Sequence, residues 1–315
     1  MEGTMGHYLV IGSGSIGRRH AGNLEALGRE VRLLSWRAMG PGDLEAELEG
    51  AAGAVIATAT QVRLELVQLC AARDVPVYIE KPLAYRRDEL AALFEAAGPI
   101  AERSVAGFMM RYHPAVQALH DDPIEAYRFD FEIGHDVRQW RQNWRFADSY
   151  AARREGGGVL LDLCHEIDMA VSLFPGIALG PVDSIGHRDF PGVDFATRVS
   201  LAKDGCHGQV AMDYLSPKFV RKLRVRGREA GVDLDLLNAR QMRWQGAKEI
   251  TRVWEFDRNE MFLGIMADFI ALAEGQEPSD YPLLPRLDHV RESCELIADA
   301  WEARRFHGAI EGGFA

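Results

Sequence analysis

The chain has 315 residues, 47% of them hydrophobic and 26% charged, with a formal net charge of −11. These are the proportions of a globular protein long enough for two domains, each with its own core. The acidic balance argues against a nucleic-acid-binding surface, no apolar run approaches the roughly 20 residues of a membrane span, and Met1 to His7 has neither the basic cluster nor the apolar stretch of a secretion signal.

The first part of the chain alternates short apolar runs with helical patterns. His7 to Gly12 reads as a buried strand, Ile16 to Leu27 as a helix and Val31 to Trp36 as a second strand. Leu44 to Glu49 follows as a short helix, Ala54 to Ala59 as a strand, Leu64 to Ala72 as a helix and Val77 to Glu80 as a strand. Asp88 to Ala97 is helical, and Ser104 to Met109 is a last strand. Strands separated by helices imply crossovers and a parallel sheet covered on both faces.

After His113-Pro114 the texture changes. Ala126 to Ile133, Val182 to His187, Ala196 to Ala202, Gly208 to Tyr214, Lys222 to Arg228 and Val232 to Leu237 read as strands, several alternating apolar with polar. That pattern predicts a mostly antiparallel open sheet with one wet face. One long helix, Leu160 to Phe174, interrupts them, and helices over Asn259 to Glu274 and Pro285 to Arg305 close the chain. The expected fold is therefore α/β in residues 1–118, followed by an α+β domain in residues 119–315. The helix at 285–305 is expected to pack back on the first domain. Cys70, Cys164, Cys206 and Cys294 show no CxxC or zinc-type spacing, which predicts reduced thiols in a cytoplasmic protein and no metal site.

Two segments carry chemistry. Gly12-Ser13-Gly14-Ser15-Ile16-Gly17 is a GxGxxG between an apolar strand and a helix, the context of a dinucleotide-binding loop. The glycines permit the turn, the approach of a diphosphate and close helix packing, and Ser15 and Ile16 open the helix whose positive end holds the anion. At the tip of the second strand, Ser35-Trp36-Arg37 offers no carboxylate for an adenosine ribose. Ser35 and Arg37, with Arg18 or Arg19, suit a 2′-phosphate and Trp36 suits an adenine, so NADP is preferred over NAD. Glu80-Lys81-Pro82 ends a parallel strand, at the edge where open α/β sheets place ligands. A lysine there can donate to a substrate oxygen or share its proton, although taken alone it is equally a surface lysine beside a turn proline.

Gly156-Gly157-Gly158 leads into the second segment, in which Asp162, His165 and Asp168 stand three apart. On a continuous helix they share a face, and such a row orients a histidine for proton transfer. The competing reading is a buried histidine capped by acids. The glycines are expected to let the chain approach a ligand. Lys222, Arg224, Arg226 and Arg228 alternate along one strand, as either a solvated face or subunit contact, or an anionic-substrate patch.

Together these motifs resemble the glucose–fructose oxidoreductase / inositol dehydrogenase / rhizopine catabolism superfamily (Gfo/Idh/MocA). The resemblance spans the glycine loop, Glu80-Lys81-Pro82, the GGG segment with His165 and Asp168, and the C-terminal helix. Stretches at Gly14 to His20, Arg111 to Pro114 and Tyr150 to Arg153 are similar to a branch found in bacterial surface-sugar pathways. The resemblance implies a Rossmann domain, an NAD(P) cofactor and oxidation or reduction of a sugar, cyclitol or polyol carbon. It maps a catalytic lysine onto Lys81, a catalytic histidine onto His165 and an aspartate onto Asp162, which here precedes the histidine by three residues rather than the family's usual four. It also implies cofactor contacts from Glu80 and from the loop after the third strand, where Thr58 and Thr60 replace the usual proline and histidine. Arg111, Tyr112, Trp144 and Arg145 are implied to border the substrate, and a homo-oligomer is implied. A dinucleotide-binding regulator and a nicotinamide-recycling sugar enzyme are the alternatives.

Overall fold

A computed structural model describes residues 6–39, 41–139 and 145–314. The chain divides into two compact units, Met1–Tyr112 with Asp257–Cys294, and His113–Phe256 with Glu295–Ala315.

The first unit begins β1 (His7–Ile11), α1 (Ser15–Ala26), β2 (Val31–Leu34), α2 (Pro41–Glu47), β3 (Ala51–Ile56), α3 (Arg63–Ala72), β4 (Val77–Ile79), α4 (Arg87–Ala97) and β5 (Val105–Ala106). All five strands are parallel, in the order β2-β1-β3-β4-β5. Tyr8, Leu9, Val10 and Ile11 have no exposed surface, as expected of a strand covered on both faces. The strand order reverses between β1 and β3, so the carboxyl ends of β1, β3 and β4 surround the crevice where such sheets bind ligands. The helix Arg258–Ala273 belongs to this unit. It starts with a capping box in which Asp257 accepts from the Asn259 amide (2.7 Å) and Glu260 from the Asp257 amide (2.8 Å).

The second unit contains α5 (Pro114–Asp121), β6 (Ala126–Gly134), α6 (Val159–Asp162), α7 (His165–Leu173), β7 (Ala178–His187), β8 (Phe190–Lys203), β9 (Cys206–Asp213), β10 (Val220–Gly227), β11 (Ala230–Asp235), β12 (Arg240–Gln245) and β13 (Lys248–Val253), and ends in β14 (Arg304–Ile310). Its nine-stranded sheet runs β13-β12-β11-β10-β6-β9-β8-β7-β14. The pairs β6–β9 and β7–β14 are parallel and the others antiparallel, as the alternation led us to expect of most of the sheet. Phe129 stacks on Phe174 beyond α7, with ring centroids 4.5 Å apart.

Several elements depart from the sequence reading. The helix expected over 160–174 is two helices, because the backbone leaves helical geometry at Leu163 (φ −108°, ψ 29°) and Cys164 (ψ −3°). The last helix is Arg291–Glu302, and the chain then turns into β14, an exposed strand without clean alternation. The hairpin β12–β13 was not foreseen, since β13 is exposed throughout and has no apolar face. Helix α5 was also missed; His113 caps it by accepting from the Ala115 amide.

Three charges of the basic row, on β10, face acidic neighbours across the sheet. Lys222 is in register with Glu132 and Asp235, and Arg224 with Asp130 and Asp233. Arg226 donates to Asp233 (2.7 Å) and lies over the Trp244 ring. All four cysteines are buried free thiols. Among the described residues, no helix is long and apolar enough to cross a membrane.

Candidate functional site

In the first unit, the glycine loop leaves β1 at Gly12, which has φ +124°; a Cβ there would meet the Ala57 carbonyl oxygen at 2.5 Å. A Cβ on Gly17 would fall 1.7 Å from the Gly12 oxygen, so this glycine lets α1 cross the strand end. Gly14 is different. A Cβ on it meets nothing within 4 Å, and as N-cap of α1 it supplies no side-chain acceptor to the helix. Ser15 and Ile16 begin the helix next to that open position, at its positive end.

Around this loop lie the other predicted cofactor residues. Ser35 follows β2, and the exposed Arg37 sits in the one-turn helix Trp36–Ala38. Thr58 follows β3, and its Oγ1 is buried without a hydrogen-bond partner. An open helix end, a glycine facing space and an orphaned buried hydroxyl at the switch point together fit a dinucleotide.

Lys81 is half-buried at the end of β4 and precedes a cis peptide bond to Pro82. Two side chains hold its turn. Arg63, itself buried, donates through Nη1 to the Glu80 and Pro82 carbonyls on either side of Lys81. It also donates through Nη2 (2.7 Å) and Nε (3.2 Å) to the Thr58 carbonyl. From α1, His20 lies 2.7 Å from Glu80 Oε1 through Nε2. Burial pushes the Glu80 carboxyl upward, but the His20 hydrogen bond and the charges of His20, Lys81 and Arg63 outweigh it and hold the group below the usual carboxylate range. Glu80 thus braces the turn from within.

Arg111 and Tyr112 serve the packing of this unit. Arg111 is buried and donates to the Leu283 carbonyl (3.2 Å) and Ser293 Oγ (3.3 Å). Tyr112 donates to Asp268 at 2.5 Å and packs where a Cβ on Gly264 would be.

In the second unit Gly157 and Gly158 fit the chain against itself, where the sequence led to the expectation that they admit a ligand. Gly156 and Gly158 have φ of +73° and +96°. A Cβ on Gly157 would strike the carbonyls of Tyr150, Ala151 and Arg153, and one on Gly158 would lie 2.0 Å from Asp194 Oδ1. Asp194, fully buried, accepts from the Leu160 amide (2.9 Å) at the start of α6 and from Arg304 of β14.

Asp162 ends α6 and His165 begins α7, so Asp162, His165 and Asp168 are not one helical row. Both Asp162 oxygens receive tyrosine hydroxyls, Oδ1 from Tyr150 and Oδ2 from Tyr214 at 3.1 Å. Burial and the negative charges of Asp162 and Asp194 raise the Tyr214 phenol, so it stays a donor. His165 is 5% exposed and Asp168 fully buried. Glu166, beside the histidine, is committed to Arg221. Arg145 is exposed and pairs with Asp148 at 3.0 Å, while Trp144 lies outside the described residues.

His20 and Tyr150 stood out in the sequence only as ends of stretches similar to a family branch, without a role, and Arg63, Tyr214, Asp194 and Arg221 were not singled out. The signal available for His20 and Arg63 was a polar side chain at a buried helical position, which a single sequence does not distinguish from an exposed one.

No family model and no curated protein matches the sequence. Solved structures match its fold. UDP-N-acetylglucosamine 3-dehydrogenase GnnA from Acidithiobacillus ferrooxidans superposes with a TM-score of 0.73 at 18% identity, covering 96% of this chain and 97% of its own. An inositol dehydrogenase homolog from Azotobacter vinelandii, complexed with NAD+, gives 0.75 at 14% identity, covering 96% and 95%. A variant of KijD10, a 3-ketoreductase from Actinomadura kijaniata in complex with TDP-benzene and NADP, gives 0.73 at 16%, covering 98% and 100%. At these identities what is shared is the architecture, a Rossmann-type parallel sheet followed by a large mixed sheet.

Proposed function

We propose that the protein is an NAD(P)-dependent oxidoreductase of the Gfo/Idh/MocA type, acting on a CH–OH or carbonyl carbon of a sugar, cyclitol or related polyol. The observation that carries the reading is the setting of Lys81. It stands at the carboxyl edge of the parallel sheet, the edge that also carries the glycine loop, with its turn clamped by Arg63 and Glu80. A surface lysine beside a proline needs no such bracing. The neighbours in fold support the chemistry: one is a UDP-N-acetylglucosamine 3-dehydrogenase, one a 3-ketoreductase in complex with NADP, one an inositol dehydrogenase homolog complexed with NAD+.

A bound nicotinamide supplies the ring that exchanges a hydride with the substrate carbon. Gly12, Gly14, Ser15, Ile16 and Gly17 hold its diphosphate, and Thr58 Oγ1 offers a polar contact. Ser35 and Arg37 favour the 2′-phosphate of NADP, since neither carries a negative charge that would repel it. The Lys81 ammonium holds the substrate oxygen, and His165 takes or returns the proton on it. Asp162, fixed by Tyr150 and Tyr214, is the acidic residue proposed to assist His165. A pure regulator needs neither Lys81 nor His165, which is why the enzymatic reading is preferred.

The test is turnover. Purified protein is mixed with NADP or NAD and with free sugars, cyclitols and nucleotide-linked sugars, and absorbance is followed at the reduced-nicotinamide band. A substrate-dependent change supports the proposal. Dinucleotide binding without a spectral change or a modified sugar by mass would overturn it.

A further inference from the structure

We infer that Arg63 is a positioning residue that locks the loop after β3 to the turn carrying Lys81. The inference rests on the proposed function, in which Thr58 meets the dinucleotide and Lys81 the substrate oxygen. It names the side chain that keeps those two contacts in one geometry.

The ladder between β3 and β4 ends where Ile56 pairs with Ile79 and the Glu80 amide donates to the Ile56 carbonyl (3.0 Å). Thr58 and the Lys81 turn lie beyond that last rung, so strand pairing does not join them. Arg63 does. Its Nε (3.2 Å) and Nη2 (2.7 Å) donate to the Thr58 carbonyl. Its Nη1 donates to the Glu80 and Pro82 carbonyls, one on either side of Lys81. A planar guanidinium, with donors in fixed directions, can bridge two loops in this way.

The position is an unfavourable one for a cation. Arg63 is 4% exposed and opens α3, at the end of the helix that carries partial positive charge. The first turn of α3 already has its favourable acid in Glu65. The carbonyl bonds offset the cost of burying the charge, and they fasten the two loops rather than the helix. Thr58 shows what the lock holds ready. Its carbonyl is taken by Arg63, while its Oγ1 is buried and has no hydrogen-bond partner among the described residues. An orphaned hydroxyl on a backbone fixed this firmly is a preformed contact for a polar ligand atom.

The experiment uses the full chain and needs no substrate. Hydrogen exchange is followed by mass spectrometry in peptides covering residues 57–62 and 79–84, against His7–Ile11, which reports on the unit as a whole. Arg63→Ala should speed exchange in both segments about tenfold beyond any change in the reference, the scale of one lost hydrogen bond. NADPH affinity is measured in parallel by fluorescence titration. Arg63→Ala and Thr58→Val should each weaken it about tenfold, and the double variant should bind as Arg63→Ala does, because the arginine acts through Thr58. A merely structural arginine leaves the two losses additive. If Arg63→Ala does not fold, Arg63→Lys, which keeps the charge but lacks the planar fork, replaces it with the same expectations. Faster exchange in one segment only, in neither, or additive losses of affinity overturns the inference. Wild-type protein that binds neither NADPH nor NADH sinks the proposed function instead, and the exchange rates alone then decide the lock.

Discussion

Glu166 and Arg221 form a two-pronged ion pair in the interior of the second unit, Nε to Oε1 at 2.5 Å and Nη2 to Oε2 at 3.1 Å. The pair ties the first turn of α7, where His165 sits, to the start of β10. Neither side chain has an appreciable route to water, with exposures of 0% and 9%. Removing one partner strands a buried charge, so Glu166→Ala should cost about 3–5 kcal/mol in urea denaturation. Replacing both, as Glu166→Leu with Arg221→Met, should recover most of that loss. A single variant as stable as the wild type would contradict the buried-pair reading.

His113 makes the second unit sensitive to acid. Burial pulls its imidazole from 6.5 down to about 4, opposed by the hydrogen bond to the Leu236 carbonyl and aided by the charge of Arg221. The geometry agrees: Nδ1 accepts from the Ala115 amide while Nε2 donates to Leu236, an arrangement only the neutral ring allows. Below pH 6.5 the unfolded chain binds a proton that the folded chain refuses, so stability rises with pH across this window and is lost as pH falls towards 4. From pH 7 to pH 5 the loss from this group should be about 2 kcal/mol. Urea midpoints of wild type and His113→Asn at the two pH values check it, the variant showing the shallower dependence.

Gly14 and Gly17 separate binding from folding. Gly17→Ala forces a Cβ into the Gly12 carbonyl and should cost about 1–3 kcal/mol of stability. Gly14→Ala meets no atom of the chain and should leave the melting temperature unchanged. It should nevertheless weaken dinucleotide binding about tenfold, or ~1.4 kcal/mol, because the methyl group occupies the diphosphate's place. Equal affinity for NAD and NADP in wild type and Gly14→Ala would remove the loop from the site.

Lys81→Ala and His165→Ala should each lower turnover by about two orders of magnitude or more, the scale of general acid–base catalysis. Dinucleotide affinity should survive in both. Full activity in either variant removes that residue from the proton path.

Arg37→Ala should reduce affinity for NADP about tenfold while sparing NAD, as loss of one charge-assisted hydrogen bond to a phosphate implies. A parallel loss for both cofactors would mean that Arg37 does not read the 2′-phosphate.

The parallel sheet was legible because its strands are continuous apolar runs closed by glycines, as at Leu9 to Gly12, and such runs have few other uses. The glycine loop was legible for the same reason. The break between Asp162 and His165 was not. Leu160 to Phe174 has an unbroken apolar period, and the Tyr150 and Tyr214 hydroxyls that hold Asp162 come from outside it. The role of Gly157 and Gly158 was misread because a glycine's need for space looks the same in sequence whether a ligand or a carbonyl fills it. The strands β12, β13 and β14 escaped notice because exposed edge strands carry little apolar alternation to read.

Arg304, on the last strand of the chain, reaches Asp194, which receives the amide of Leu160. Strand β14 therefore anchors the turn that leads to Asp162. Arg304→Ala would leave an unneutralised acid behind α6, so that variant should be soft at the aspartate even where the rest of the sheet has formed.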